Sequence, residues 1–248
     1  MAETLKNPPL LEAICQVRYE AKLWDMALPG LFYDDKTRAS YPDRKDLKDL
    51  SIDIRSEEGR IVPTETPRIG FNSADAKSVV QMGPGFMSIH RLRPYVNWAD
   101  MQMHTLEALG KLDSAFGERL KPEGYSLTLR YVNRFDHVNS RDELTQRLNI
   151  YPSTTVCSGS ELNPYFMHVE LPGPAENTVF LVETGTAAPA RKAPYSIMLD
   201  LAVTQPPQAL TPIKGVAEWL DLAHQAIEGK FLGCLTEHEL QRISSSQQ

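Results

Sequence analysis

Short segments in which apolar and polar residues alternate recur along this chain, and twice they give way to a long stretch with a helical period. Alternation with period two marks strands with one buried face, whereas spacings of three and four mark an amphipathic helix. Half-buried antiparallel strands need cover on one face, and two long helices can supply it. The expected class is therefore α+β, with a curved antiparallel sheet covered by two long helices.

The strand segments are Ile14 to Glu20, Leu50 to Arg55, Arg68 to Asn72, Lys77 to Met82 and Phe86 to Leu92, followed later by Tyr125 to Phe135, Tyr165 to Leu171, Thr178 to Glu183 and Tyr195 to Val203. Gly83-Pro84-Gly85 reads as a turn and Gln205-Pro206-Pro207 as a break. The first long helix begins after Asn97 as N-cap, with Asp100 at N3, and keeps its period through Leu106, Leu109, Leu112, Phe116 and Leu120. The second runs from about Thr211 to Leu232, with Pro212 at N1. Ser140 with Glu143 forms a capping-box pattern before a short helix, and Thr236 caps a terminal one. The polar stretch from Asp25 to Asp49 is too long for an ordinary loop and is either functional or hides a short element.

The order of strand, loop, strands and long helix occurs twice. Val17-Arg18-Tyr19 echoes Leu129-Arg130-Tyr131, and Trp98 echoes Trp219. The chain reads as a single domain over residues 1–248, with pseudo-repeat halves at 10–121 and 125–235.

Composition narrows the class further. Hydrophobic residues make up 42% and charged residues 23%, with a net charge of −6, which excludes collagenous, disulfide-scaffold and disordered chains and argues against a generic nucleic-acid binder. Cys15, Cys157 and Cys234 are odd in number and far apart, as expected of reduced thiols in a cytoplasm. The segment Met1 to Pro9 lacks an apolar signal core, and no run approaches the ~18 apolar residues of a membrane span.

Three polar constellations stand out. The strand ending in His90, Arg91 and Arg93 leads into a helix N-terminus, an arrangement suited to an anion or carboxylate. Solvated charges on a strand edge before an N-cap are the plainer reading. In Leu129 to Phe135, Arg130 and Arg134 share one strand face while Asn133 lies on the other, where burial would demand a partner. Asp221, His224 and Glu228 share one face of the last long helix. Metal helices draw ligands from a second element and no HxxxH occurs, so His224 reads as a helix-face residue bonding a strand or loop. No GxSxG or phosphate-loop spacing occurs. His137 and His168 sit at strand positions with no evident partner, and no metal or cofactor is expected.

Several stretches together carry a resemblance. They are Asn7-Pro8-Pro9-Leu10-Leu11-Glu12-Ala13 with Val17-Arg18, Val80-Gln81-Met82-Gly83-Pro84 with Met87-Ser88 and Arg91, Pro94-Tyr95 with Trp98, Leu129-Arg130-Tyr131-Val132-Asn133-Arg134, and Leu220-Asp221 with His224 and Phe231-Leu232. As a set they resemble a sporadically distributed bacterial family of uncharacterised proteins of about this length. The resemblance implies a bacterial, cytoplasmic, accessory-gene context and no particular reaction. Patchy distribution is typical of mobile-element, defence or toxin–antitoxin genes.

The expected function is a non-enzymatic binding or partner protein. An anionic ligand or acidic partner surface would be recognised by an Arg-rich sheet face built from Arg18, His90, Arg91, Arg130, Asn133, Arg134 and His224. The alternative is an enzyme with a pocket between sheet and helices, using His90 or His224 as general base and Arg91 or Arg130 for an anion. A pocket would gather these groups, and a partner surface would spread them over an open face.

Overall fold

A computed structural model describes residues 5–55, 60–117, 124–153, 162–187, 194–208 and 213–245, with no side-chain description for 49–64, 207–208 and 213–214. In chain order the strands are β1 (Leu10–Arg18), β2 (Asp43–Arg55), β3 (Arg60–Asn72), β4 (Ser78–Gly83), β5 (Phe86–Leu92), β6 (Tyr125–Val138), β7 (Phe166–Pro172), β8 (Val179–Thr186) and β9 (Tyr195–Gln208). The helices are α1 (Leu28–Phe32), α2 (Asp35–Ser40), α3 (Trp98–Phe116), α4 (Arg141–Arg147), α5 (Ile213–Cys234) and α6 (Glu237–Ser244), with a 3-10 turn at Ala21–Leu23. The architecture is α+β. The strands form a 9-stranded sheet in the order β2-β3-β4-β5-β1-β6-β9-β8-β7. Pairs β2–β3, β3–β4, β4–β5, β7–β8 and β8–β9 run antiparallel.

The chain divides into two compact units, one of Met1–Ala13, Leu129–Gln205 and Trp219–Gln248, the other of Ile14–Thr128 and Pro206–Glu218. In the second of these, alternation along β1 buries Cys15 and Val17 and continues to Tyr19 just beyond its end, and α3 buries Met101, Thr105, Ala108, Leu109, Leu112 and Phe116. The Tyr19 and Phe116 rings meet edge to face at 5.1 Å. Each fully buried aliphatic or aromatic side chain adds roughly 1.5–3 kcal/mol, so this stripe fixes the helix more firmly than propensity can. The Asn97 side chain accepts from the Asp100 amide at 2.9 Å and starts α3 where expected. Helix α3 runs to Phe116, with Gly117 at φ 64° as its C-cap, and Leu120 lies outside the described residues.

The β4–β5 turn matches its composition. Pro84 and Gly85 are its central residues, and Gly85 has the positive φ of 79° that the second of them requires. Any Cβ there would also sit 3.1 Å from the Tyr19 carbonyl oxygen.

The long polar stretch holds α1, α2 and the start of β2, and the 3-10 turn comes just before it. Phe32 and Tyr33 pack on Phe71 of β3, with ring centroids 5.7 Å and 4.8 Å apart. Asp34 caps α2 by accepting from the Thr37 amide at 2.7 Å.

In the other unit, β6 buries Leu129, Tyr131, Asn133 and Phe135, and β9 buries Ile197, Leu199, Leu201 and Val203. From α5 come the buried Leu220, Ala223, Ile227 and Phe231. Glu239 of α6 is fully buried yet satisfied. Arg147 of α4 meets it at 3.2 Å and Arg242 at 2.6 Å and 2.7 Å. Burial pushes the Glu239 carboxyl up, but the two guanidiniums outweigh that and hold it below the usual range. The expected break at Gln205-Pro206-Pro207 is not one, because β9 continues to Gln208. Proline is tolerated in a strand where its missing amide is not needed by a neighbour.

Candidate functional site

The outward face of the unit containing β6 to β9 carries a row of charged side chains. Strand alternation turns Arg130 and Arg134 outward while their neighbours Tyr131, Asn133 and Phe135 are buried. Arg130 Nε donates to the two Asp200 carboxylate oxygens at 2.9 Å and 2.8 Å, and its Nη2 also reaches Asp200. Register places Asp200 opposite Glu183 on β8, and Glu183 opposite His168 on β7. His168 Nδ1 lies 2.9 Å from Glu183 Oε1, and its Nε2 lies 3.3 Å from Glu170 Oε1. Those carboxylates, Glu183 first and Glu170 next, raise the His168 pKa above its ordinary value.

Arg134 is anchored in the same manner. Its Nε donates to Asp136 Oδ1 at 2.6 Å and its Nη2 to Ser196 Oγ at 3.1 Å. Both arginines remain about half exposed, at 45% and 44% of the side chain. Neither Nη1 group makes a hydrogen bond among the described residues. Arg130 and Arg134 stand four residues apart on one strand, so their Cα atoms are about 13 Å apart.

Asn133 and His224 belong to the buried side of the same strand. Asn133 is 3% exposed, and its Nδ2 donates to the Leu199 carbonyl at 3.2 Å. It satisfies the core and offers nothing to a ligand. His224 of α5 shares a 2.8 Å hydrogen bond through Nδ1 with the Tyr131 hydroxyl. Burial lowers its pKa against the opposing pull of Glu228 and Asp221.

Arg18, His90 and Arg91 lie in the other unit. Arg91 Nε donates to Asp100 Oδ2 at 2.9 Å, with Nη2 on the same oxygen and Nη1 on Ser78 Oγ. His104 Nε2 reaches the other Asp100 oxygen at 3.4 Å. Arg91 is therefore a clamp between β5 and the first turn of α3, only 14% exposed. His90 Nε2 lies 2.8 Å from Ser88 Oγ. The Arg18 side chain, at the end of β1, is exposed.

This unit also contains a cleft of about 410 Å³ lined by Leu31, Phe32, Asp34, Lys36, Glu107, Lys111 and small residues of α3. Lys111 Nζ donates to Thr37 Oγ1 at 2.5 Å and sits 3.8 Å from Asp34 Oδ1. None of the seven residues singled out from the sequence lines it. Its one sequence signal was the unusual length of the Asp25 to Asp49 stretch.

No family model and no curated protein matches this chain. Among the described residues, no group of three or more His, Cys, Asp or Glu side chains is placed to hold a metal ion, and no helix is long and apolar enough to cross a membrane. Cys15 and Cys234 are buried free thiols, and burial pushes Cys15 up to about 12 despite a hydrogen bond from Thr105. Cys157 lies outside the described residues.

Proposed function

We propose that this protein is a non-enzymatic binding protein that recognises a partner surface through the outward face of β6 to β9. The observation that carries this reading is the pair of half-exposed guanidiniums, Arg130 and Arg134, each oriented by a carboxylate while Nη1 makes no hydrogen bond among the described residues. A guanidinium has five donors, so an oriented one still has donors for an incoming carboxylate. A spacing of about 13 Å is too wide for both to close on one small anion. It suits two acidic side chains on a protein surface.

The face is mixed in charge. Glu12, Asp136, Glu170, Glu183 and Asp200 stand among the arginines. The partner that fits carries acidic groups opposite Arg130 and Arg134 and basic groups opposite Glu170 and Glu183. Complementarity of this kind confers specificity and association rate more than raw affinity. The bacterial accessory-gene setting and a cytoplasmic location are part of the same proposal.

The test is partner capture with the wild-type chain and with Arg130→Gln/Arg134→Gln. Loss of the captured protein with an unchanged melting temperature supports the reading, and undiminished capture rejects it. Arg91, included in the expected face, is unsuited to this test because its removal frees the first turn of α3.

A second reading is favoured by the cleft beside α3. Lys36 and Lys111 there are balanced by Asp34 and Glu107 over an apolar wall of Leu31 and Phe32, which fits a small zwitterion. Stabilisation by such compounds, lost in Lys111→Met, would support it.

Strand order supports the proposal of an internal duplication. Outward from β1 run β5, β4, β3 and β2, and outward from β6 run β9, β8 and β7. The last strand of each half leads into a long helix, α3 or α5. Alignment of residues 10–121 with 125–235 across many relatives would test it, and a failure to align β1–α3 with β6–α5 would count against it.

A further inference from the structure

β7 is an edge of the sheet and pairs only with β8 among the described residues. The Thr186 amide donates to the Tyr165 carbonyl at 3.0 Å, and the Gly173 amide to the Thr178 carbonyl at 2.9 Å. Both bonds involve odd-numbered residues of this segment. Antiparallel alternation therefore turns the backbone groups of Phe166, His168 and Glu170, and the Pro172 carbonyl, away from β8. Such an unpaired edge is a template for another strand.

We propose that this edge pairs with the β7 edge of a second copy of the chain, antiparallel and centred on Val169. The sequence Phe166-Met167-His168-Val169-Glu170-Leu171-Pro172 is self-complementary about that centre. His168 falls opposite the partner's Glu170, and Glu170 opposite the partner's His168. On the other side of the strand, Met167 meets the partner's Leu171 and Val169 meets the partner's Val169. Phe166, 71% exposed in the single chain, meets the partner's Pro172. Because outward residues must face outward residues, the neighbouring registers are centred on His168 or on Glu170. Those put histidine against histidine or glutamate against glutamate, and like charges directly opposite destabilise a pair. Only the Val169 register sets histidine opposite glutamate, twice by symmetry, and the two carry opposite charges when the imidazole is protonated. In it the two residue pairs of His168 with Glu170 each exchange both backbone hydrogen bonds, and Phe166 donates its amide to the Pro172 carbonyl. Pro172 has no amide to give, so it ends the ladder.

Charged residues and proline on an edge usually discourage pairing. Here the same residues exclude the wrong registers and accept one. A twofold contact of this kind is isologous and closes on itself. The inference does not rest on the partner-binding reading, because its test needs this chain alone.

Sedimentation equilibrium over a range of concentrations tests it. The wild-type chain is expected to show a monomer–dimer equilibrium. His168→Glu puts two glutamates opposite each other, and Glu170→Lys puts lysine opposite histidine. Each variant alone is expected to raise the dimer dissociation constant about tenfold or more, counting both symmetric contacts. An equimolar mixture restores opposite charges in both contacts and is expected to return to wild-type association as a heterodimer. Thermal melts verify that each variant is folded, and Glu170 is exposed enough, at 68%, for its variant to fold normally. A wild-type chain that stays monomeric, single variants that associate as wild type does, or a mixture that stays monomeric would each overturn the proposal.

Discussion

Arg130 grips Asp200 through Nε, 2.9 Å and 2.8 Å from the two carboxylate oxygens, and leaves its outer edge to solvent. Asp200 is itself only 12% exposed. The pair orients the guanidinium in advance, which lowers the entropy lost on binding a further group.

That orientation separates two classes of arginine. Arg134→Ala is expected to change unfolding free energy by less than about 1 kcal/mol, as for exposed ion pairs. Arg91→Ala frees both Ser78 and Asp100 and is expected to lose roughly 2–3 kcal/mol, between the values for exposed and buried pairs. Urea unfolding of both variants measures the difference. Equal losses would mean that the Arg91 clamp is no more structural than the outward pair.

The pKa values of His168 and His224 are shifted in opposite directions. The His168 pKa is raised by Glu183 and Glu170, so its contribution to stability is fully present below about pH 6.5 and is lost as pH rises through the higher folded value. The His224 pKa is lowered by burial, so stability is lost as pH falls from about 6.5 through the lower folded value. Ring-proton NMR across pH 4 to 9 (about the range histidines span) resolves the two. Glu183→Gln should bring His168 back toward the ordinary value and leave His224 unmoved.

The Arg147–Glu239–Arg242 group is expected to be structural. Glu239→Ala leaves Arg147, 13% exposed, facing a vacated site and is expected to lose about 3 kcal/mol. The wild-type carboxyl is held below its usual range, so its contribution is present above the unfolded value of about pH 4.3 and fades as pH falls through the folded value. Acid-unfolding curves of the two proteins should therefore converge at low pH.

Asn133→Ala is expected to lose about 1–3 kcal/mol, because the Leu199 carbonyl loses its buried amide donor. Partner capture by the folded fraction should be unchanged. A selective loss of capture would return Asn133 to the binding face.

Local signals carried the elements well. Phe86 to Leu92 is a strand with the bounds set by the Gly83-Pro84-Gly85 turn before it and Pro94 after it, and the caps at Asn97, Ser140 and Thr236 start α3, α4 and α6. These features depend on neighbours a few residues away. What was not legible depended on register. His168 has no partner visible in the sequence because Glu183 comes opposite it only once β7 and β8 are paired. Arg130 and Arg134 suggested a basic face because the carboxylates that orient them include Asp200, on β9. The stretch from Asp25 to Asp49 hid α1 and α2 because helices of five and six residues carry too few apolar positions to show a period. Phe32 of α1 and the adjoining Tyr33 pack instead on a β3 aromatic distant in sequence, Phe71.

Site-specific photo-crosslinking distinguishes the outward sheet face from the cleft as the place where a partner binds. A photoreactive phenylalanine analogue replaces Val132, which faces outward between Arg130 and Arg134, or Ser114, which lines the cleft. A protein partner is expected to crosslink from position 132 and not from position 114. Crosslinking from position 114 with none from position 132 would contradict binding through the outward sheet face.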